Sequence, residues 1–184
     1  VGFSKGFEKI WANYSSENKV NAYSMIRDTQ TKWVYWLDKP CTFNVVEDPS
    51  YDLDERVSSC RTQKDQVVYI LGDSHAINLF NIVGYSEQFS TVIGTTQGGC
   101  RPHGCLKNKS NHYDFFKEKI LPLVNPQDII IFHQRGLYLV ADREGKNASK
   151  KTFDEGDYNI DYDNIQKVSA FLNAVATTVE AKVI

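Results

Sequence analysis

The sequence has no run of apolar residues near the length of a membrane span, and its formal net charge is only −2. The first absence argues against a transmembrane segment within these residues. The second, with Lys and Arg scattered among acids, argues against a nucleic-acid partner. There is also no signal peptide and no initiating Met, so we expect residue 1 to lie inside a longer protein. At 184 residues and 41% hydrophobic, the chain is large enough for one globular domain with its own core.

Cysteine is scarce, but its number is even. The four cysteines are Cys41, Cys60, Cys100 and Cys105, which allow three pairings. The simplest pairing is local, with Cys41 bound to Cys60 and Cys100 to Cys105, and it would indicate an oxidising compartment. Four free thiols in a cytosolic protein are the alternative. Because no Cys-x-x-Cys pair is present, a zinc site is disfavoured and we expect no metal.

The most informative segment is Gly-Asp-Ser-His at 72–75, which follows directly on the apolar run 67–71. That β-branched and aromatic run predicts a buried strand, and residues 76–83 predict a helix. Asp73 or Ser74 could cap the first amide groups of the helix, whose dipole would favour negative charge near the serine hydroxyl. This arrangement is typical of nucleophilic serines, although an ordinary helix cap uses the same residues.

Strands and helices alternate after this turn. Strands are predicted over 90–95 and 128–132, helices over 111–123 and 161–179, and a last strand from residue 182. The alternation predicts a parallel sheet with helices on both faces, a three-layer α/β/α domain that binds ligands beyond the carboxyl ends of its strands. Ser74, Gly99 and His133 all fall at such ends, so we expect them at one rim.

The first sixty-four residues match no motif and are interpreted from their physical pattern alone. We expect residues 1–64 to form a helical and loop-rich extension packed on the domain at 65–184. An amphipathic helix is predicted over 16–31. The aromatic residues 33–37 predict a core or docking strand, with a sugar-stacking platform as the alternative. Residues 39–64 carry two prolines and many acids, so they predict a connecting loop.

Two segments resemble a known family. Leu-Gly-Asp-Ser-His-Ala at 71–76 resembles the first block of SGNH (GDSL-type) hydrolases, and its His-Ala favours the SGNH domains attached to bacterial membrane acyltransferases. Gly-Gly-Cys-Arg-Pro-His-Gly-Cys at 98–105 resembles the cysteine-bracketed loop after the second strand of those domains. The resemblance covers residues 66–184 and implies a flavodoxin-like SGNH fold whose C-terminal part lies beyond this sequence.

The resemblance also implies a function. Ser74 would accept an acyl group, expected to be acetyl, and pass it to a hydroxyl of a cell-surface polysaccharide. The acyl source would be a membrane acyltransferase domain of the same parent chain. The domain would work in the periplasm or on the extracytoplasmic face of the membrane, tethered in that parent, and without a cofactor.

The resemblance assigns further parts of the site. The second block supplies a glycine amide for the oxyanion, here Gly99, with Gly98 as the neighbouring candidate and the amide of Ser74 as a second donor. The third strand normally leads to an Asn, which this chain lacks. Arg135 is therefore expected to stabilise charge or hold substrate, with Gln134 as the neutral alternative.

The family's Asp-x-x-His is missing, because none of His75, His103, His112 and His133 has an Asp three residues before it. We expect that motif in residues that follow Ile184. Among the histidines present, only His133 is a candidate substitute, and a rim histidine without catalytic duty is the alternative; His112 is expected on a helix surface. Two other functions stay open: a non-catalytic glycan-binding or docking domain, and an esterase that releases the acyl group to water.

Overall fold

The computed structural model describes residues 33–36, 39–45, 52–61, 66–86, 88–105, 111–135 and 160–184, the first of these ranges by its backbone alone. The helix predicted over 16–31 lies outside the described residues. The strands are β1 Trp33–Trp36, β2 Lys39–Val45, β3 Val67–Gly72, β4 Thr91–Thr96, β5 Cys100–Arg101, β6 Gly104–Cys105, β7 Ile129–His133 and β8 Lys182–Val183. The helices are α1 Leu53–Cys60, α2 Ser74–Tyr85, α3 His112–Phe115 and α4 Tyr162–Thr178, and α3 continues as a π-helical turn over Phe116–Ile120 and a 3-10 turn over Leu121–Leu123.

Six strands form one sheet in the order β1-β2-β4-β3-β7-β8. All neighbours in this sheet are parallel except β1, which pairs antiparallel with β2 at one edge. Along the chain β4 is added on one side of β3, and β7 is then added on the other. The strand order therefore reverses at β3, and this reversal is the topological switch point of the sheet. The α/β class and the mostly parallel sheet predicted from the sequence are confirmed.

The sheet buries both of its faces, because β3 alternates its side chains between two apolar clusters. Val68 and Ile70 pack with Ala76 and Phe80 of α2 on one face. The alternate residues Val67, Tyr69 and Leu71 pack on the other face with side chains from α1, the π-helical turn after α3, and α4. Strand β3 is buried along its whole length, as expected of a central parallel strand covered by helices on both sides.

The prediction of a loop over 39–64 was wrong, because β2 and α1 both lie there. Pro40 is tolerated in β2 because pairing with β4 begins only at Thr42, so the missing N–H of proline costs no ladder hydrogen bond. The aromatic strand predicted over 33–37 is confirmed as β1. Strands β1 and β2 therefore belong to the same sheet as β3.

Helix α1 carries signals that the loop prediction overlooked. The side chain of Asp52 caps the helix by accepting a hydrogen bond of 2.9 Å from the amide of Glu55. Leu53, Val57 and Cys60 recur at helical spacing and are the buried residues of the helix. A cap followed by an apolar stripe was thus present in the sequence.

Both local disulfides are confirmed, Cys41 with Cys60 and Cys100 with Cys105. The first joins β2 to the end of α1, and the second closes the two-stranded hairpin of β5 and β6. Disulfides of this kind fit a protein that folds in an oxidising compartment. Within the described ranges, no helix has the length and apolarity needed to cross a membrane.

An ion pair between a partly exposed arginine and a fully buried carboxylate lies at the edge of the sheet where the parallel strands begin. The guanidinium of Arg61 donates to both carboxylate oxygens of Asp128, at 3.0 and 2.8 Å. The same carboxylate accepts from the amides of Val67 at 3.0 Å and Asn125 at 2.8 Å. The network joins the end of α1 to the starts of β3 and β7, at the edge opposite Ser74.

Candidate functional site

Ser74 is the first residue of α2 and follows the central strand after a single residue. It is exposed to solvent, and it lies beyond the carboxyl end of β3, where the strand order reverses. In open parallel sheets this is the position at which ligands bind. The N-terminus of α2 adds the positive end of a helix dipole beside the serine hydroxyl. The structure therefore places Ser74 where the sequence predicted it.

The turn before Ser74 requires a glycine because two strands meet closely there. Gly72 pairs with His133 at the end of β7. A Cβ atom on Gly72 would lie 1.8 Å from the carbonyl oxygen of His133, far inside van der Waals contact. The close approach of β7 thus fixes glycine at this position and holds the serine turn against the strand end.

Asp73 connects the start of α2 to the chain after β7. Its side chain is buried, at 2% relative exposure. The Oδ1 atom accepts a hydrogen bond of 2.8 Å from the amide of His75 and so caps the helix. The Oδ2 atom accepts a hydrogen bond of 3.3 Å from the backbone amide of Arg135. Of the two caps that the sequence allowed, Asp73 is the one used.

The imidazole of His75 also faces this carboxylate. Its Nδ1 atom lies 3.4 Å from Oδ1 of Asp73, a contact that becomes an ion pair only when the ring is protonated. The side chain is 43% exposed, so part of the ring faces solvent at the rim. His75 is therefore turned toward Asp73 and the serine turn.

The carbonyl of Gly72 is held from two other directions. It accepts from the amide of Gln97 at 3.1 Å and from Nε2 of His112 at 2.9 Å. Because a carbonyl only accepts, Nε2 of His112 must carry the hydrogen. Burial lowers the pKa of His112 to about 4, although its hydrogen bond to Gly72 and the charge of Asp73 both oppose the shift. His112 is thus a neutral donor near pH 7.

The expectation that His112 lies on a helix surface was wrong, since the residue is 2% exposed. Its helix begins where predicted, with the side chain of Asn111 accepting a cap hydrogen bond from Tyr113 at 3.1 Å. The helix packs its first residues inward against the serine turn, forty positions away in the chain. No local pattern in the sequence predicts this contact between His112 and Gly72.

The two glycines predicted beside the serine lie where expected in the chain, in the turn between β4 and β5. A Cβ atom built on Gly98 would lie 3.5 Å from the Cβ of Ser74, so this backbone passes directly beside the nucleophile candidate. Gly99 has a φ of 85°, in the left-handed region that favours glycine. The structure therefore brings Gly98 into contact range of Ser74, with Gly99 as its chain neighbour.

The β5–β6 hairpin continues from these glycines and is fixed to β7. The carbonyl of Cys100 accepts a hydrogen bond of 3.2 Å from the side-chain amide of Gln134. Cys100 itself is fully buried and bound to Cys105. Gln134, the neutral donor candidate, thus uses one N–H to hold the hairpin beside the serine turn.

Buried polar side chains lie beneath the rim. Tyr113 is fully buried and Arg101 is 3% exposed. Burial raises the pKa of Tyr113 well above its ordinary value, the negative charge of Asp73 raises it further, and the positive charge of Arg101 opposes both. The charge of Asp73 therefore acts on two buried side chains, the phenol of Tyr113 and the imidazole of His112. Sequence analysis did not single out Tyr113 or Arg101.

The other two histidines occupy different places at this side of the sheet. His103 lies in the hairpin turn, and burial lowers its pKa, as do the charges of Arg101 and Lys167, while Asp161 opposes the shift. His133 ends β7 and is exposed at the rim. The rim thus carries Ser74, His75, His133 and Arg135, and the last is also exposed.

The fold and the rim together define an α/β protein with a mostly parallel sheet and an exposed serine at its switch point. Comparisons of the chain with protein-family models, with curated proteins and with solved structures found no match. Among the residues that the structure describes, no group of three or more His, Cys, Asp or Glu is arranged to hold a metal ion. The catalytic role of Ser74 and the oxyanion roles of Ser74, Gly99 and Arg135 stay predictions.

Proposed function

We propose that this chain is an SGNH-type acyl-transfer domain in which Ser74 carries the acyl group as an ester. The group is expected to be acetyl, and its acceptor is a hydroxyl of a cell-surface polysaccharide outside the cytoplasm. The membrane acyltransferase part of the same parent protein would supply the acyl group. No cofactor is needed, because the serine ester stores the group between the two half-reactions.

One observation carries this proposal: an exposed serine begins a helix at the switch point, with the backbone of Gly98 against it. Acyl transfer needs an accessible nucleophile and hydrogen-bond donors for the oxyanion. The helix N-terminus offers backbone amides at that place, and the amide of Gly99 in the neighbouring turn is the second donor that we expect. The exposed Arg135, whose own amide is held by Asp73, adds a cation at the same rim.

The chemistry would follow in two balanced steps. Oγ of Ser74 attacks the acyl carbonyl, its proton passes to a base, and the bond to the donor's leaving group breaks as that group takes the proton. A sugar hydroxyl then attacks the serine ester, gives its proton to the same base, and Oγ leaves and regains a proton. The oxyanion of each tetrahedral intermediate would receive hydrogen bonds from the amides of Ser74 and Gly99 and charge stabilisation from Arg135.

The base would be the histidine of an Asp-x-x-His motif in residues following Ile184. Strand β8 runs parallel to β7, with Ile130 opposite Val183, and the amide of Ile184 donates to Ile130 at 2.9 Å. The end of β8 is thus paired alongside β7, the strand that ends at the rim with His133.

The proposal is tested by intact-protein mass spectrometry after exposure to para-nitrophenyl acetate. The natural full-length protein, residues 1–184 alone and the Ser74→Ala form of each would be compared. A transient acetyl mass on the full-length protein, lost in Ser74→Ala, is the expected result. If residues 1–184 alone are not labelled, the base lies outside them; if no form is ever labelled, Ser74 is not an acyl carrier.

A second function, glycan binding without catalysis, is favoured because two of the four described histidines already have partners. His112 donates to the carbonyl of Gly72 and His75 faces Asp73, whereas His133 is exposed at the rim. A domain of this kind would bind the polysaccharide equally well as Ser74→Ala and would never show an ester. Measuring glycan binding and acetyl labelling on the same two proteins separates the two functions, and glycan-independent release of acetate would instead indicate an esterase.

A further inference from the structure

The carboxylate of Asp73 divides its two oxygens between the two halves of the candidate site. Oδ1 accepts from the amide of His75 at 2.8 Å, at the start of the serine helix. Oδ2 accepts from the amide of Arg135 at 3.3 Å, just after β7. The carboxylate belongs to a residue that is 2% exposed, while both hydrogen bonds are partly buried because their donors lie nearer the surface. One side chain thus links segments that are sixty-two positions apart in the sequence.

We propose that Asp73 is a positioning residue that sets where Arg135 stands relative to Ser74. The inference rests on the proposed function, since it concerns how the acyl-transfer site is assembled. Asp73 does not touch the substrate. It acts through the backbone of Arg135, whose guanidinium acts on the charge that develops at the acyl oxygen.

The local structure explains why this task needs a carboxylate. An ordinary helix cap needs one acceptor, which Ser, Thr or Asn supply as well as Asp. Here one buried carboxylate accepts from two backbone N–H groups that belong to different parts of the fold. Only a carboxylate offers two acceptor oxygens and no donor, so it serves both amides at once.

The same geometry provides a clean variant. Asp73→Ser keeps one oxygen to cap the helix and removes the acceptor for Arg135. Asp73→Asn conserves the side-chain size but turns a donor toward one of the two amides, so it too loses one bond. Arg135→Ala removes the guanidinium and leaves the backbone N–H in place. These changes separate the cap from the link and the link from the cation.

The test is a double-mutant cycle on the rate of Ser74 acylation, measured in the natural full-length protein with para-nitrophenyl acetate. Asp73→Ser is expected to lower the rate about tenfold when Arg135 is present. In the Arg135→Ala background it is expected to change the rate by less than about twofold, because the group that Asp73 positions is then absent. A role limited to stability would lower the rate by the same factor in both backgrounds.

A measurement independent of activity accompanies the cycle. Amide hydrogen exchange in Asp73→Ser is expected to accelerate at Arg135 while His75 stays protected, since the cap is kept. If Asp73→Ser does not fold, Asp73→Asn replaces it in both measurements.

The two failures are distinguishable. Equal rate factors in both backgrounds, or unchanged exchange at Arg135, overturn the positioning role while acylation of Ser74 itself stands. No acetyl mass on the unaltered protein overturns the proposed function, and the positioning role for that reaction with it.

Discussion

Gly98 lies beside Ser74 and has no side chain. Replacing it by alanine adds one methyl group and tests whether substrates approach the serine hydroxyl from this side. The added Cβ of Gly98→Ala would lie 3.5 Å from the Cβ of Ser74, an ordinary contact that the fold can accept. The methyl group would narrow the approach to the hydroxyl. We expect acetyl labelling to slow about tenfold, with a change below about 0.5 kcal/mol in the free energy of unfolding.

Mass spectrometry and chemical denaturation of the same preparation check this expectation. Labelling at the unaltered rate would mean that substrates reach Ser74 from another side. Slower labelling with a large loss of stability would instead assign Gly98 a structural role.

His112 predicts a pH dependence of stability. Its pKa is about 4 in the folded protein and about 6.5 in an unfolded chain. Between these values the unfolded state binds more protons, so stability falls as the pH drops from about 6.5 and the loss is complete below about 4. The difference corresponds to about 3 kcal/mol.

Urea unfolding between pH 4 and 7 measures this effect. His112→Gln keeps a donor for the carbonyl of Gly72 but has no proton to gain, so its stability should change less across the window. The difference between the two proteins isolates His112 from the other histidines. Identical slopes would contradict the burial of a neutral imidazole.

Single residues differ in how far the sequence predicts them. Asp73 and Ser74 were expected at the start of a helix, because a cap is a local feature of the chain. His112 and Arg101 were not expected in the interior, since their burial depends on elements that meet only after folding. The hydrogen bond from His112 to Gly72 spans forty positions, and no pattern within one helix encodes it.

At the scale of the element, apolar periodicity predicted the strands of the main sheet and the helices that the structure describes after residue 66, but not the β5–β6 hairpin. It missed β2 and α1 before that residue. Strand β3 and helix α2 were predicted because a long apolar run is followed by a capped helical pattern. Strand β2 was missed because Pro40 argued for a loop, yet Pro40 precedes the paired part of the strand. The capped stripe of α1 was hidden by acids on its exposed face.

The ion pair of Arg61 and Asp128, which joins the end of α1 to the start of β7, should contribute strongly to stability. The side chain of Asp128 is fully buried, and it binds Arg61 with both oxygens. Asp128→Asn would leave the guanidinium without its counter-charge, which we expect to lower the free energy of unfolding by about 3 kcal/mol. Ser74 lies at the other edge, so labelling of the folded fraction should not change.

The exposed carboxylate of Asp114 provides the control. Asp114→Asn should shift the free energy of unfolding by less than about 0.5 kcal/mol. Equal effects of the two substitutions in urea denaturation would contradict a structural role for the buried pair.

At the scale of the whole molecule, the alternation of strands and helices predicted a parallel sheet but left the order of strands undetermined. Right-handed crossovers allow a new strand on either side of β3. The side on which each strand is added depends on which helix covers which face of the sheet. The face of β3 that carries Tyr69 packs against helices that are far apart in the sequence. The rim was predictable because every parallel strand ends at the same edge.

The two disulfides predict a redox dependence of the whole fold. None of the four cysteines is free, so thiol titration of the denatured, unreduced protein should find none and reduction should release all of them. Cys41→Ala with Cys60→Ala should lower the free energy of unfolding by about 3 kcal/mol, as expected for a loop of this size. Free thiols before reduction would contradict the two disulfides and favour a cytosolic protein with unpaired cysteines.

The β5–β6 hairpin after Gly98 contains a bond that must form after synthesis of the chain. Gly98 and Gly99 lead directly into Cys100, which is bound to Cys105 and held by Gln134. The hairpin that follows the glycines beside Ser74 is therefore closed by a disulfide, which forms only after the chain has been synthesised. A newly made chain carries the serine, but its hairpin is closed only when an oxidant reaches the two cysteines, so we expect the backbone beside Ser74 to reach its final arrangement only after that oxidation.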